Sequence, residues 1–523
     1  MAQNSLYVIG IGGTGAKCLE AILQIASVGL FTDKPIRMLF VDADETNGNL
    51  ERARIGLKTY QNCYNLLKSQ QRPHVWMQTQ LNAFSPDLWS PFANTKVNKD
   101  LESFFGYNNL LQNDPELASL FDVLYTKDER EANLDVGFRG RPSIGAAIMS
   151  RLDLENLDEQ PWYDLISQIQ ADCGSGQRPK IFLCGSIFGG TGASGLPTLG
   201  RLIHNKLEGK NIRGSVDIAC LFVLPYFQFQ PTGPDASQQV YASSDQFLLN
   251  TEAALRYYTD QNQYFDKVYL LGDQNFSRYK FSVGKNTQRN EPHFIELYAA
   301  LAARHFSDDS KAESNNPSSK GTEKVALISR RNPEKLVWGD LPEMADVQRK
   351  LATGVRFAYI WLSNILPELS TAQQIGVAKF RAGAPWFDQF FNPELGAIAK
   401  IFDKKGQELP SLSDPEEQKA IETVTNWCTD YLRWVREIQE YAPGTIELEL
   451  FRTGPLESFD GQVRGEYLRD LVLGDTREEG RKNQDEIQKI KEQLINSSTL
   501  DLGSSSLGTV RLANALYILS QWS

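Results

Sequence analysis

Short apolar stretches alternate with amphipathic stretches along the first half of the chain. Buried strands of a parallel sheet carry apolar residues on both faces, so continuous apolar runs predict strands. Five such runs are Leu6–Ile11, Lys34–Val41, Lys180–Cys184, Val216–Leu224 and Lys267–Leu271. Apolar residues at helical spacing predict helices at Ala16–Ala26, Leu196–Leu207 and Gln239–Tyr258. Strands separated by helices are typical of an α/β fold whose parallel sheet is covered on both faces.

The pattern changes after about residue 330, where long amphipathic helices replace the alternation. Apolar residues from Met344 to Ile365 recur every three or four positions, as on one face of a helix. Further elements predicted here are the helices Glu416–Tyr441 and Arg477–Ile495 and the strand Thr445–Phe451. We therefore predict an α/β domain at 1–330 and an α-rich C-terminal region at 331–523.

Two stretches of the first region do not follow the alternating pattern. Residues 54–132 show no matching strand pattern, and apolar clusters at Phe104–Leu111 and Leu117–Leu124 predict short helices inserted into the fold. Residues 307–323 are rich in Ser, Asn, Asp and Lys. Because they offer almost nothing apolar to bury, we predict a mobile loop there.

Composition is that of a globular protein, with 41% hydrophobic and 23% charged residues among 523. No apolar run reaches the 18 residues of a transmembrane helix, and no basic flank precedes the first apolar stretch, as a secretory signal would require. The six cysteines and four histidines are scattered, so we predict a cytoplasmic protein without a disulfide framework or a zinc site. A net charge of −11 disfavours general nucleic-acid binding.

The first candidate ligand-binding segment is the turn Gly10-Ile11-Gly12-Gly13-Thr14-Gly15, between the first predicted strand and helix. Glycine lets the backbone approach a ligand closely, and a helix N-terminus presents free N–H groups to an anion. The turn also matches the G-x-G-x-x-G of dinucleotide-binding folds, with Asp42 after the next strand. A Walker A loop is disfavoured, because Ala16 separates Lys17 from the last glycine. A turn that only tightens strand–helix packing is the alternative.

A second glycine-rich turn, Gly189–Gly195, follows the strand Lys180–Cys184 and opens another helix. The carboxyl ends of parallel strands share one edge, so both turns can face one ligand. Two converging turns suit a di- or triphosphate, whose charge is divided among many amide donors. Asp42 and Asp44 could bind Mg²⁺ beside the phosphates, or they could only cap the element that follows their strand.

These elements together resemble the tubulin/FtsZ GTPase superfamily. Gly12-Gly13-Thr14-Gly15 is similar to its first phosphate loop, and Gly189-Gly190-Thr191-Gly192-Ala193-Ser194 is similar to its signature G-G-T-G-[ST]-G. Other stretches that resemble family motifs, in the family's order, are Asp42-Ala43-Asp44, Gly140–Ala146, Val223–Phe229 and Asn250–Leu255. The resemblance covers about residues 5–272. It is strongest to the divergent large bacterial tubulin-like proteins, which Asn290–Leu297 also resembles.

The resemblance implies a tubulin/FtsZ-type fold that binds GTP or GDP with Mg²⁺. It assigns the phosphates to Gly12, Gly13, Thr14, Gly15, Gly189, Gly190, Thr191, Gly192 and Ala193. Asp42 and Asp44 would bind the metal, Arg141 would offset charge, and Asn250 would contact the base. Arg141 could instead be a solvated surface charge, and Asn250 an ordinary helix residue.

The sequence also departs from the family pattern. Ser194 replaces the last glycine of the signature, and Gln230 stands where a ribose-binding glutamate is expected. The acidic loop that activates water in the neighbouring subunit's site has no evident counterpart. Glu296 is the candidate for that catalytic acid, although it could merely complement the dipole of its helix.

Three functions are compatible with these features. The first is a GTPase whose self-association depends on nucleotide, as long filaments or as short or closed assemblies. The second is a non-hydrolysing switch or scaffold that acts on a protein partner through the helical C-terminal region. The third is an NAD-dependent oxidoreductase that uses Gly10–Gly15, which leaves the second turn unexplained.

Overall fold

The computed structural model describes residues 5–522 apart from several internal segments. These segments are 32–33, 68–74, 94–97, 152–155, 230–243, 261–263, 274–275, 281, 283, 309–338, 340, 394–405, 407, 441–449, 452–467, 474–476, 498–499 and 503–504. Several predicted features therefore lie outside the described residues. They are Gln230, the boundary near 330, and most of the loop 307–323 and of the strand Thr445–Phe451.

Six parallel strands form one sheet, and a further pair of short strands lies apart from it. In chain order the strands are β1 (Leu6–Ile11), β2 (Ile36–Val41), β3 (Leu81–Trp89), β4 (Lys180–Ser186), β5 (Asp217–Val223), β6 (Phe227–Gln228), β7 (Lys267–Leu271) and β8 (Ser277–Arg278). The sheet has the order β3-β2-β1-β4-β5-β7, and β6 pairs with β8. The strand order reverses between β1 and β4, where open parallel sheets leave a crevice at their carboxyl edge.

The structure confirms the α/β class and the five strands that apolar runs predict, but β3 was missed. β3 pairs with β2 at the edge of the sheet and lies inside 54–132, so the prediction of a purely helical insertion is wrong there. Its sequence, LNAFSPDLW, is only partly buried and is interrupted by Pro86. Proline is tolerated on edge strands, where one side of the backbone needs no ladder partner.

Eleven helices precede residue 309 among the described residues. They are α1 (Gly12–Ser27), α2 (Gly48–Leu67), α3 (Leu101–Phe105), α4 (Tyr107–Asn113), α5 (Pro115–Leu124), α6 (Lys127–Glu131), α7 (Pro142–Ser150), α8 (Trp162–Gly174), α9 (Gly190–Gly209), α10 (Phe247–Asp260) and α11 (Phe294–Asp308). Helices α3 to α5 lie where the apolar clusters Phe104–Leu111 and Leu117–Leu124 predict short inserted helices, and α6, which follows them, was not predicted. Helix α9 begins six residues before the predicted Leu196, inside the glycine-rich turn.

The C-terminal region is helical, as predicted. Its helices are α12 (Met344–Ile360, continued by a π-helical turn to Ile365), α13 (Leu366–Ile375), α14 (Val377–Phe380), α15 (Pro415–Glu440), α16 (Glu479–Lys482), α17 (Ile487–Ile495) and α18 (Gly508–Leu519). The single helix predicted at Arg477–Ile495 is thus two helices, α16 and α17. No helix in the described part of the chain is long and apolar enough to cross a bilayer.

The sheet separates two apolar cores, because successive side chains of a strand point to opposite faces. Leu6 and Val8 of β1 belong to the core that includes α1, α2 and α11, while Tyr7 and Ile9 belong to the core with α7, α8 and α9. The first core continues into α12, α15 and α18. The C-terminal helices therefore cover α1 and α2 on the side away from the sheet.

Buried ion pairs reinforce this contact between the two parts of the chain. Glu20 of α1 is bound by Arg52 of α2 and by Arg433 of α15, at 2.8 Å in each case. The amide of Gln24 donates a hydrogen bond to Asp430 of α15 at 2.6 Å. The two arginines keep the pKa of Glu20 below its usual value in spite of its burial, which acts to raise it.

Candidate functional site

The first glycine-rich turn takes the chain directly from β1 into α1. Gly12 has a φ of +72°, in the left-handed region that favours glycine. Gly15 serves packing: a Cβ there would lie 2.6 Å from the Gly10 carbonyl carbon and 2.7 Å from the Cys184 oxygen. Gly12, Gly13 and Thr14 line a cavity at the carboxyl edge of the sheet, whereas Gly15 supports them from behind.

The second turn brings the N-terminus of α9 to the same place. A Cβ on Gly12 would lie 3.4 Å from the backbone nitrogen of Gly192, so the two turns are in direct contact. A Cβ on Gly192 would lie 2.2 Å from the Ser186 oxygen, and one on Gly190 would lie 2.8 Å from Cβ of Phe138. Gly189, Gly190, Thr191 and Gly192 line the cavity. Ala193 is buried in α9 just behind them.

The cavity between these two helix N-termini encloses about 1060 Å³, part of it open to solvent. Free N–H groups and the positive end of the dipole at each terminus favour an anion. The turns from β1, β2, β4 and β5 all contribute to its walls. The structure therefore brings together, as predicted, residues that are separated by up to 180 positions in the sequence.

One end of the cavity is acidic. Asp42 and Asp44 are both buried, and Thr191 donates a hydrogen bond to Oδ1 of Asp42 at 3.3 Å. Asp44 accepts bonds from the backbone of Thr46 and of Lys285, so part of its role is to organise the loops around it. Burial raises the pKa of Asp42 to about 7, and the charge of Asp44 adds to the rise.

Oδ2 of Asp42 is buried and has no hydrogen-bond partner among the described residues. A buried carboxylate oxygen without a donor is costly unless a cation or a proton meets it. No group of three or more His, Cys, Asp or Glu in the described chain could hold a metal ion alone. The pair fits Mg²⁺, which usually binds one or two carboxylates and takes its other ligands from phosphate and water.

Asn47 and Asn49 also line the cavity, and the sequence analysis missed them. A Cβ on Gly13 would lie 3.3 Å from the Nδ2 atom of each. Asn49 accepts a hydrogen bond from the backbone of Asn290, which joins this loop to the segment before α11. The two amides thus place N–H donors beside the N-terminus of α1. The sequence feature that could have identified them is their position, two residues apart and just after the acidic pair.

The turn before α7 contributes Arg139 and not Arg141. Arg139 and Gly140 line the cavity, and Arg139 has a φ of +50°. Arg141 lies outside the set of described residues that line it, and its guanidinium forms an ion pair with Glu129 at 3.4 Å. The structure therefore does not support the charge-offsetting role predicted for Arg141.

Another part of the cavity wall is aromatic. It is formed by Phe188, Tyr226, Phe227, Phe229 and Phe247. The rings of Phe188, Phe227 and Phe229 lie 4.7, 5.7 and 5.6 Å from that of Phe247, centroid to centroid. Such a wall can pack against a flat apolar group of a ligand.

Asn250 lies in α10 beside this wall, outside the described lining residues. Its amide nitrogen donates to the backbone oxygens of Gly140 and Phe188, at 3.2 and 3.0 Å. It therefore ties together two turns of the cavity instead of presenting its amide to a ligand.

Glu296 is 1% exposed and fully engaged in a buried network. It forms an ion pair with Lys17 at 2.6 Å and accepts hydrogen bonds from the Tyr226 hydroxyl and the backbone of His293. The last bond is half of a capping box, in which the third residue of a helix binds the backbone N–H that precedes the helix. An acid held in this way does not reach a neighbouring subunit, which contradicts its predicted catalytic role.

Lys17 lines the cavity although it is 2% exposed, and sequence reasoning considered it only to dismiss a Walker A loop. Its ammonium also donates to the Tyr279 hydroxyl at 3.1 Å. Burial lowers the pKa of Lys17 and raises that of Glu296, and each charge opposes the change in the other. The lysine could not be recognised from the sequence because its partner lies 279 residues away.

Fold and site together define an α/β protein with a cavity between two glycine-rich helix N-termini at the carboxyl edge of a parallel sheet. No family model and no curated protein matches the chain. Solved structures that it resembles include CetZ1 from Haloferax volcanii, described as a GDP-bound monomer, with 14% identity and a TM-score of 0.24. CetZ from Methanosaeta thermophila has 14% identity and a TM-score of 0.19. Both matches cover 51% of this chain, and 51% and 46% of the matched chains, about half their length.

Proposed function

We propose that this protein binds a guanine nucleotide, GTP or GDP, with Mg²⁺ in the cavity between α1 and α9. The observation that carries the proposal is the contact between two glycine-rich helix N-termini, with Gly12 against Gly192, at the sheet's reversal point. Two such termini suit a polyphosphate, whose charge is shared among many N–H groups. The choice of guanine follows from the resemblance to the tubulin/FtsZ superfamily.

In this proposal the phosphates lie along Gly12–Thr14 and Gly189–Gly192. Asp42 and Asp44 bind Mg²⁺ at the acidic end, where the metal offsets the negative charge of the terminal phosphate. Arg139, which lines the cavity, takes the role that the sequence gave to Arg141. The aromatic wall is left for the base.

An NAD-dependent oxidoreductase explains the site less well. A dinucleotide-binding fold uses one glycine-rich turn for its pyrophosphate, whereas here α1 and α9 both begin at the cavity. That fold uses one acid after its second strand, a place that Asp42 could take by binding the ribose of NAD, but the second buried acid, Asp44, is then left without a role.

We further propose that the protein associates with itself in a nucleotide-dependent way. Leu120 and Val123 of the inserted helix α5 are 52% and 83% exposed, and exposed apolar clusters mark interaction surfaces. Hydrolysis of GTP would be phosphoryl transfer to water, in which positioning and electrostatics supply the catalysis. The buried position of Glu296 favours, as a second candidate, a switch that binds nucleotide and acts through the C-terminal helices packed on α1.

Equilibrium binding of labelled GTP and of labelled NAD, with Mg²⁺, tests the proposal. We expect tight binding of GTP, and its loss in Gly13→Val, because a branched side chain there would project among Asn47 and Asn49 at the N-terminus of α1. The matched control is Gly209→Val at the other end of α9, where an added Cβ meets no atom within 4 Å.

NAD binding without GTP binding would overturn the proposal. So would an unchanged affinity for GTP in a folded Gly13→Val protein. Gly13 is preferable to Gly190 for this test, because a side chain on Gly190 would collide with Phe138 and disturb the loop itself.

A further inference from the structure

Lys17 is a buried lysine at the wall of the cavity, and its ammonium has more N–H groups than partners among the described residues. It projects from the second turn of α1, and its ammonium lies 5.6 and 4.9 Å from the ring centroids of Tyr226 and Tyr279. Two of its three N–H groups have partners among the described residues, Glu296 and the Tyr279 hydroxyl. The cost of burying a lysine makes a purely incidental position unfavourable.

The position of Lys17 relative to the aromatic wall and the acidic pair indicates what it would meet. Tyr226 adjoins Phe227 in the aromatic wall, with ring centroids 5.0 Å apart. The acidic pair is instead associated with Thr191, Thr46 and Lys285. Lys17 therefore lies beside the aromatic wall, where a planar ring of the ligand would pack, and its contacts among the described residues do not include the acidic pair.

We propose that Lys17 recognises the base, donating a hydrogen bond from its ammonium to the 6-oxo oxygen of guanine. The inference rests on the proposed function, since it names the group that reads the nucleotide bound in that cavity. A lysine is a donor only and has no acceptor to offer. Guanine presents an acceptor oxygen at position 6, whereas adenine presents an amino group there, whose N–H donors face the ammonium unfavourably.

The surrounding residues hold the ammonium in place. Glu296 is fixed by the Tyr226 hydroxyl and by the backbone N–H of His293, at 2.8 and 2.9 Å, so its carboxylate has little freedom to turn. The carboxylate in turn opposes the loss of the lysine's proton that burial promotes. Glu296 is thus a positioning residue, and the same acid that caps α11 orients the donor in α1.

Four nucleoside triphosphates separate recognition of the 6-oxo group from recognition of the 2-amino group. GTP has both groups, ITP has only the oxo group, the 2-aminopurine riboside triphosphate has only the amino group, and ATP has neither. We expect the protein to bind GTP and ITP with similar affinity. We expect the 2-aminopurine compound and ATP to bind about tenfold more weakly or worse, since a polar group would be left unpaired.

The double variant Lys17→Met/Glu296→Gln removes both charges together, so that neither is left buried alone. We expect its affinity for GTP to fall about tenfold, to that of the 2-aminopurine compound, so that the ratio of the two affinities approaches one. Lys210→Met is the matched control, because Lys210 is an exposed lysine at the far end of α9 and is absent from the described lining of the cavity. It should keep the discrimination of the unmodified protein.

The outcomes separate the two proposals. Failure of all four compounds to bind the unmodified protein would defeat the proposed function. Binding of GTP without preference over the 2-aminopurine compound would defeat the role of Lys17 alone, and so would a preference that survives in the folded double variant. If the double variant does not fold, Lys17→Met serves instead, because burial raises the pKa of Glu296 and so favours its neutral form.

Discussion

At the scale of single residues, the glycines of the two turns differ in what they do. Gly15, Gly190 and Gly192 let the backbone pack closely, since a Cβ on any of them would lie within 2.8 Å of a neighbouring atom. Gly12 supplies a left-handed backbone conformation, and Gly13 stands at the cavity beside two asparagine amides. The two interpretations of the first turn, ligand contact and packing, therefore apply to different glycines.

Asp44 provides a prediction about the acidic end. If it lies beside Mg²⁺ and the terminal phosphate, Asp44→Ala should weaken binding of GTP in Mg²⁺ about tenfold while affecting GDP less, because only GTP carries that phosphate. Titration of each nucleotide with and without Mg²⁺ measures the difference.

Asp135→Ala is the control for this prediction. Asp135 is half-buried and pairs with Lys285, the residue whose backbone binds Asp44, but it is absent from the described lining of the cavity. Equal losses for GTP and GDP in Asp44→Ala, or no loss, would return Asp44 to a role in shaping the loop.

The sequence predicted the residues of the site that lie in contiguous motifs and missed those that tertiary contacts define. Gly12, Asp42 and Gly190 each follow an apolar run that predicts a strand. Because the turns after parallel strands all lie at the carboxyl edge of the sheet, these residues could be placed together from the sequence. Lys17 and Glu296 become interpretable only when α11 is placed against α1. Their ion pair depends on long-range packing, which no local pattern encodes.

At the scale of elements, continuous apolar runs identified the central strands but not the edge strand β3. Strands β1, β4 and β5 are buried on both faces, so their sequences are mostly apolar, with polar residues only at the strand ends of β4 and β5. Strand β3 has one neighbour, a register shift against β2, and side chains that alternate irregularly between solvent and core. A pattern that depends on burial cannot identify a strand that is only partly buried.

Helix α11 gives a prediction about pH. Nδ1 of His293 accepts the N–H of Ile295 at the start of the helix, and burial, with the charge of Lys17, lowers the pKa of the imidazole from 6.5 to about 3. Below pH 6.5 the unfolded chain takes up a proton that the folded protein does not. The free energy of unfolding should therefore fall as the pH falls, by about 2 kcal/mol between pH 7 and pH 5 from this group.

Urea unfolding at pH 7, 6 and 5 measures this contribution. His293→Asn is the comparison, because its amide oxygen can accept the same N–H but does not titrate in this range. We expect the variant to lose less stability than the unmodified protein as the pH falls. Parallel losses in the two proteins would contradict the assignment.

At the scale of the whole molecule, we expect self-association to depend on the nucleotide. Contacts that join one face of a subunit to a different face of the next generate open filaments unless the rotation closes. The inserted helices α3 to α6 and the C-terminal helices both add surface to the α/β domain. Either could limit such growth, so short assemblies are compatible with the proposal as well as filaments.

Light scattering and electron microscopy with GTP, GDP and a slowly hydrolysed analogue test this expectation. Leu120→Asp/Val123→Asp, which alters two exposed residues of α5, should reduce association while leaving nucleotide affinity unchanged. A strict monomer at tens of micromolar with all three ligands would count against assembly and favour the switch.

The position of helix α1 links the cavity to the C-terminal helices. The helix begins at the cavity, ends against the C-terminal helices about 24 Å away, and only Gly13 and Thr14 of its sixteen residues are not buried. Because neighbouring side chains pack against α1 along its length, the helix has little freedom to bend locally. A tilt of its first turn would therefore displace its last turn. Such a tilt would strain the bonds from Glu20 to Arg433 and from Gln24 to Asp430. Helix α1 thus connects the wall of the cavity to α15 through packed side chains and these two contacts.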